Sequence, residues 1–448
     1  MSPLPERISR VAVIGAGPGG LIACRALRDE GVFDTITVFE RNSEVGGTWL
    51  YSKEANAPPS IPSENALVVD PPCQSAPRQP PFSAIYDSLH TNLPTTIMGF
   101  RDIPFPSNYP LFLNHKQVLA YLHDDVAKQY DLLPMIRFNT TVVRVEPTMD
   151  NQWQVSATKW LDNKETRYTE LYDAVIVASG SNYIPFIPDV EGLKEFKNFA
   201  TVLHSQNYRQ PQDYANKTVL VVGNGSSSAD LVRETSTTAT KVYYSIRGDD
   251  SPFSKTVHEM NLENVERIGA LSKFSADSGI IECEDGKEID GVDIVFFATG
   301  YLYSFPFLPF EKDNLIVDGQ TVLGIYEHMF YVKNPTLAFV GLMTRVVPMP
   351  FMQIQSTVIA RYLSGRIQLP SYTIMQESIA NETNDRKKLV LNPETEIATL
   401  ERMGAWAEGY QGNLEDWQSD DLITGRLSED WIKDRYRMLE LRKKCLGY

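Results

Sequence analysis

Residues 11–31 read VAVIGAGPGGLIACRALRDEG: a short apolar run, a glycine-rich turn and a helical pattern stopped by Gly31. Consecutive apolar positions fit a strand buried on both faces, as in a parallel sheet. Gly15, Gly17 and Gly20 stand in G-x-G-x-x-G register. The first permits the turn, the second lets a pyrophosphate approach the backbone, and the third lets helix and strand pack closely. Pro18 and Gly19 open the helix, whose free N–H groups and dipole favour an anion. A second strand, TITVF at 35–39, leads into Glu40 and Arg41. Glu40 lies about 20 residues past the third glycine, where a carboxylate can accept hydrogen bonds from both hydroxyls of an adenosine ribose.

The same unit returns at residues 219–234, VLVVGNGSSSADLVRE. Gly223 and Gly225 keep the first two glycine positions, Ser226 and Ser227 open the helix, and Ser228, still small, replaces the third glycine. The next strand ends in Ser245-Ile246-Arg247 rather than an acid. A hydroxyl and a guanidinium suit a ribose 2′-phosphate, so this turn reads as an NADPH site and the first as an FAD site. Asp249 and Asp250 are the competing partners for Arg247. Two further apolar runs end at glycine, AVIVASG (174–180) and IVFFATG (294–300).

These runs predict an α/β protein with two Rossmann-like dinucleotide-binding domains in a glutathione-reductase-like layout. The NADPH domain is inserted in the FAD domain: 1–175 forms the first FAD segment, 176–303 the NADPH domain, and 304–448 the second FAD segment with C-terminal helices. Pro306 and Pro309 break regular structure near the second boundary. Helices are expected at about 116–130, capped by Asn114 with Gln117, and at about 427–441. A meander is expected over 153–172, and a hairpin at Asp285-Gly286. The proline-rich stretch 51–82 reads as a long loop.

A formal net charge of −15 over 448 residues argues against nucleic acid or an anionic membrane as partner. No apolar stretch is long enough for a membrane span. The start of the chain carries no signal pattern, and its four cysteines form neither a disulfide framework nor a metal-ligand set. The expected location is the cytoplasm, with no metal. Nothing in the sequence opposes a homo-oligomer.

Four smaller clusters remain: Glu44-Val45-Gly46-Gly47-Thr48-Trp49, YDSLHTNLP (86–94), HSQNYR (204–209) and Ala298-Thr299-Gly300-Tyr301. Paired glycines let the chain pass along a flat ligand, with Trp49 as cover. Together with both dinucleotide turns, these clusters resemble the flavin-containing monooxygenases of the soluble fungal and plant type, over about residues 11–369. In that family's F-x-G-x-x-x-H-x-x-x-(F/Y) pattern, His204 and Tyr208 match, while Asn198 and Ala200 occupy the Phe and Gly positions.

The resemblance implies that NADPH reduces FAD, that O2 adds to give a C4a-hydroperoxide, and that a small molecule's soft nitrogen or sulfur takes the distal oxygen. Asn92 matches the family asparagine beside the flavin and is the expected catalytic residue. A neutral amide offers donor and acceptor without an acidic proton that would collapse the peroxide. Gly15, Gly17, Pro18, Gly19, Gly20, Glu40, Arg41, Gly47, Thr48, Trp49, Thr91, Asn92, Leu93, Val142 and Gln355 are the expected FAD contacts. Gln353 and Gln355 are read near the start of a helix whose N-terminus faces the flavin pyrimidine. Gly223, Gly225, Ser226, Ser227, Ser228, Ser245 and Arg247 are the expected NADPH contacts.

Three other readings compete. Ketone oxygenation of the Baeyer–Villiger kind uses the same intermediate, and a non-oxygenating FAD/NADPH-binding protein would stop at flavin reduction. A pyridine-nucleotide disulfide reductase needs a flavin-adjacent cysteine pair, which the lone Cys24 and Cys73 do not supply.

Overall fold

The computed structural model describes residues 7–72, 79–308 and 315–447. Cys73, Pro77, Pro309 and Tyr448 lie outside them. All four apolar runs become central strands. Arg10–Ile14 pairs in parallel with Thr35–Phe39 on one side and Ala174–Val177 on the other. Thr218–Val222 pairs in parallel with Lys241–Ser245 and Ile294–Phe297. Each glycine-rich turn therefore leaves a strand flanked on both sides, which explains the unbroken apolar runs.

The first sheet has seven strands. Leu337–Phe339 adds in parallel beside Ala174–Val177, and two short antiparallel strands, Phe330–Tyr331 and Ile325–Tyr326, complete that edge. Ile136–Arg137 closes the other edge. The second sheet has five parallel strands, drawn entirely from Thr201–His204 to Ile294–Phe297. The first lobe thus takes strands from either side of the second in sequence, and the two are joined by the antiparallel pair Ile184–Pro185 and Tyr301–Leu302.

The meander forms as three antiparallel strands, Thr140–Pro147, Trp153–Leu161 and Lys164–Tyr172. Asp162 and Asn163 both take positive φ (47° and 65°), as a tight two-residue hairpin turn requires. Asp285-Gly286 likewise turns between Ile281–Cys283 and Glu288–Ile289. The Asn114–Gln117 capping box is present, but the helix it starts runs regularly only over His115–Ala120 and continues as π-helix over Tyr121–Lys128.

The C-terminal helix, Glu429–Leu446, docks on the first lobe. Trp431 Nε1 donates to the Ile97 carbonyl (3.3 Å), and Arg435 Nε donates to Glu396 (2.7 Å). Both members of that ion pair are buried, and the other Glu396 oxygen accepts from the backbone N–H of Val347, at the cap of helix Pro348–Leu363. At its far end, Arg442 reaches Asp230 of the second lobe (3.0 Å). Among the described residues no helix is long and apolar enough to cross a membrane.

Candidate active site

The two turns repeat one piece of stereochemistry. Gly15 has φ +103°, and a Cβ there would stand 2.6 Å from the Ala178 carbonyl oxygen; Gly223 has φ +150°, and its Cβ would stand 2.5 Å from the Ala298 oxygen. Only glycine meets both demands. At the third position the units differ. A Cβ on Gly20 would fall 1.8 Å from the Gly15 oxygen, so glycine is obligatory. Ser228 is accommodated instead, its Oγ accepting from Gly225 N–H and lying 3.0 Å from the Tyr244 hydroxyl.

Helix Pro18–Glu30 starts after Gly17 with no side-chain cap and no acid in its first turn. Its N-terminal N–H groups are therefore left for an anion. The Gly46-Gly47 segment is folded against this start: Gly46 N–H donates to Ala16 O (3.0 Å), and a Cβ on Gly47 would sit 2.8 Å from Gly17 Cα. Thr48 and Trp49 follow in a 3-10 turn, Thr48 exposed and Trp49 half-buried. Gly19 packs beneath, with Val340 and Met352 at contact distance of its virtual Cβ. Glu40 is buried; its oxygens accept from Ala16 N–H (2.6 Å) and from the Asn42 backbone and side-chain N–H groups (2.8 Å each). Arg41 stacks over the Tyr183 ring at 4.6 Å.

In the 86–94 turn Asn92 stands between two fixed residues. Thr91 is buried, donates to the Leu93 carbonyl (2.9 Å) and accepts from Leu113 N–H (3.1 Å), while Leu93 enters the core. Asn92 is exposed, and its amide makes no hydrogen bond among the described residues. Val142 is buried at a bulge in the meander. Gln353 and Gln355 lie in the second turn of helix Pro348–Leu363, not at its start. Gln353 is engaged by Arg101 N–H and Asp102. Gln355 accepts from Gly341 N–H (3.0 Å), yet its buried Nε2 has no partner among the described residues. A buried amide donor left in this way fits a flavin ring, which carries acceptor oxygens and nitrogens.

At the second turn, a Cβ on Gly225 would meet nothing within 4 Å, and Ser226 and Ser227 head a helix lacking acid in its first turn. That open space suits a pyrophosphate. Ser245 is buried with its hydroxyl donating to Gly269 O (2.9 Å). Arg247 is exposed and forms no ion pair among the described residues; Asp250 instead pairs with Arg267 (3.2 Å).

Sequence reasoning missed the ties across the crevice. Arg209 is buried and donates to the carbonyls of Glu54, Ser83, Gln206 and Tyr208. Asn207 donates to Asn56 O, and Asn56 in turn clasps Phe82 through both its amide atoms. Residues 54–56 and 82–83 are thereby pinned to the 204–209 cluster. The surplus of polar residues in HSQNYR was the only signal available.

His204 is fully buried as the neutral Nε2–H tautomer, donating to Gly300 O (2.9 Å) and accepting from Gln206 N–H at Nδ1 (3.2 Å). Burial pushes its pKa down to about 4 despite the Gly300 carbonyl. The folded state therefore binds fewer protons than the unfolded one below the ordinary histidine pKa. The stability contribution is whole above pH ~6.5 and is lost as pH falls toward 4, a span of about 3 kcal/mol. His204→Gln should flatten the acid limb of a denaturant titration over that range; an unchanged slope contradicts it.

Cys24 lies on the buried face of the first helix, and burial raises its thiol to about 12, which keeps it protonated at neutral pH. Among the described residues no group of His, Cys, Asp or Glu is placed to hold a metal.

The flavin-binding monooxygenase-like family model matches residues 78–259 and 260–404, and an NAD(P)-binding Rossmann-like model matches 13–74. The Arabidopsis thaliana flavin-containing monooxygenase FMO GS-OX-like 4 is 32% identical, over 98% of this chain and 93% of its own length. The chain belongs to the flavin-containing monooxygenase family. A second Arabidopsis member, FMO GS-OX3, is 37% identical over 85% of this chain and 79% of its own. The solved structure of S-allyl-L-cysteine S-oxygenase from Allium sativum superposes with a TM-score of 0.78 at 28% identity, covering 98% of this chain and 93% of that one. This flavin-containing monooxygenase uses FAD and NADPH, and acts with O2 on small molecules.

Proposed function

We propose that this monooxygenase oxygenates soft sulfur or nitrogen atoms of small molecules, with Asn92 as its catalytic side chain. The observation that carries the reading is the Asn92 amide, exposed and unengaged on a turn whose neighbours Thr91 and Leu93 are both fixed. FAD, reduced by NADPH, supplies the oxygen-activating chemistry; the chain binds, orients and excludes water. Residues 1–175 and 304–448 form the FAD domain and 176–303 the NADPH domain. The first helix start and the Gly46-Gly47 backbone hold the flavin nucleotide, with Gln355 Nε2 donating to its ring. Gly225, Ser226 and Ser227 hold the NADPH pyrophosphate, and Arg247 takes the 2′-phosphate. Asn92 would offer a donor at Nδ2 and an acceptor at Oδ1, with no acidic proton to release.

The name of the Allium neighbour favours sulfur. A panel of a thioether, a tertiary amine and a ketone, scored by product and by peroxide leakage, tests the reading. Sulfoxide or N-oxide is expected. Ester from the ketone alone, or flavin reduction with no oxygenated product, overturns it.

Gly225→Ala separates the two sites. The backbone there (φ −108°) tolerates alanine and the Cβ meets no protein atom, so flavin content should hold while NADP⁺ affinity drops at least about tenfold, the effect of ~1.4 kcal/mol. Wild-type NADP⁺ affinity in that variant would move the pyrophosphate elsewhere.

A further inference from the structure

Helix Ser226–Thr235 begins at the second phosphate turn and carries two carboxylates one turn apart, Asp230 and Glu234, on a single face. Glu234 lies in its last turn, where the helix dipole disfavours negative charge, so its placement calls for a partner. Arg442 and Arg233 pair with Asp230, and Arg233 with Glu234, while the turn that holds Asn92 adds a hydrogen bond to each carboxylate. Tyr86 donates its hydroxyl to Asp230 (2.7 Å), and Ser88 donates to Glu234. Tyr208 donates to the other Glu234 oxygen (2.7 Å), and its ring meets Tyr86 edge-on at 5.5 Å.

Burial and the adjacent Asp230 carboxylate hold the Tyr86 phenol well above its ordinary pKa, so it stays a donor. From Tyr86 onward the turn is stiff. Asp87 N–H donates to Arg209 O, His115 N–H to Leu89 O, and Thr91 N–H to Leu113 O.

We propose that the Asp230/Glu234 face couples nucleotide occupancy at Gly223–Ser228 to the position of the Asn92 turn, with Tyr86 and Ser88 as positioning residues. A nucleotide docked at the helix start fixes the helix, and the helix fixes the turn on the flavin side. By linkage, the turn in turn favours nucleotide retention. The inference rests on the reading of the two turns as FAD and NADPH sites and on Asn92 facing the flavin.

The test is amide hydrogen exchange of holoenzyme peptides spanning residues 86–93, with and without NADP⁺, in wild type, Tyr86→Phe and Ser88→Ala. Flavin content and Tm are measured alongside, and Asp230→Asn serves as a milder third variant. NADP⁺ should slow exchange in this segment at least fivefold in wild type. The slowing should be largely lost in each variant, with peroxide released per NADPH rising severalfold. Equal protection in variants and wild type, or none in wild type, overturns the coupling. If Asn92→Ala leaves leakage unchanged while the protection pattern holds, the coupling stands and the role of Asn92 falls.

Discussion

Gly20→Ala is expected to give protein that emerges colourless or does not accumulate. The new Cβ would overlap the Gly15 carbonyl oxygen at 1.8 Å, and that oxygen is backbone and cannot rotate away. Relief requires lifting helix Pro18–Glu30 off strand Arg10–Ile14, which breaks the Leu21 N–H to Gly17 O bond (3.0 Å) and displaces the N–H groups proposed to hold the phosphate. Overpacking of this kind costs about 1–3 kcal/mol where side chains can yield, and more where they cannot. Flavin affinity should fall at least about hundredfold, the equivalent of ~2.8 kcal/mol. The flavin-to-protein absorbance ratio and an FAD titration measure it. A yellow, fully loaded Gly20→Ala protein would mean that the first turn does not hold the flavin.

The second large effect concerns stability. Arg435→Met should leave Glu396 buried without its cation, and breaking a buried pair from one side costs about 3–5 kcal/mol. At ~2.1 cal/mol/K per residue of unfolding entropy, that corresponds to roughly 3–5 °C in Tm for a chain this long. The penalty has a pH signature. Burial already raises the Glu396 carboxyl, against the opposing pull of Val347 N–H and Arg435. Without the guanidinium it rises further, so the folded variant binds a proton that the unfolded chain releases near ordinary glutamate pH. The loss should therefore be full at pH 8 and shrink as pH falls toward 5. A Tm loss independent of pH would show that packing, not the bare carboxylate, carries the effect. Because Glu396 also accepts from Val347 N–H, the same variant should loosen the start of the helix bearing Gln355.

The frame was legible because its signals are local. Four apolar runs each ending in glycine read as flanked strands, and the two glycine-rich turns announced repeated sites, down to the carbonyls of Ala178 and Ala298 that crowd them. Asn114 and Gln117 capped their helix as spacing required. The π-helical continuation over Tyr121–Lys128 was hidden, because apolar periodicity hardly distinguishes it from α. Gln355 was named, but its helix begins at Pro348, and proline at the first position is the mark that sequence reasoning passed over. The ties of Tyr86 to Asp230, Arg209 to Glu54 and Arg442 to Asp230 join segments far apart in the chain. No window of sequence contains both ends of any of them.

The interleaved first sheet also sets an order of events on the ribosome. Strand Ala174–Val177 is exposed on one edge until Leu337–Phe339 has been made, and the whole of the second sheet lies between them in the chain. The nascent chain can therefore complete its inner sheet while the outer one still has an open edge, and such late, non-local pairing is slow and prone to aggregation. The lobe translated first closes last, so its sheet is complete only after strand Leu337–Phe339 has left the tunnel.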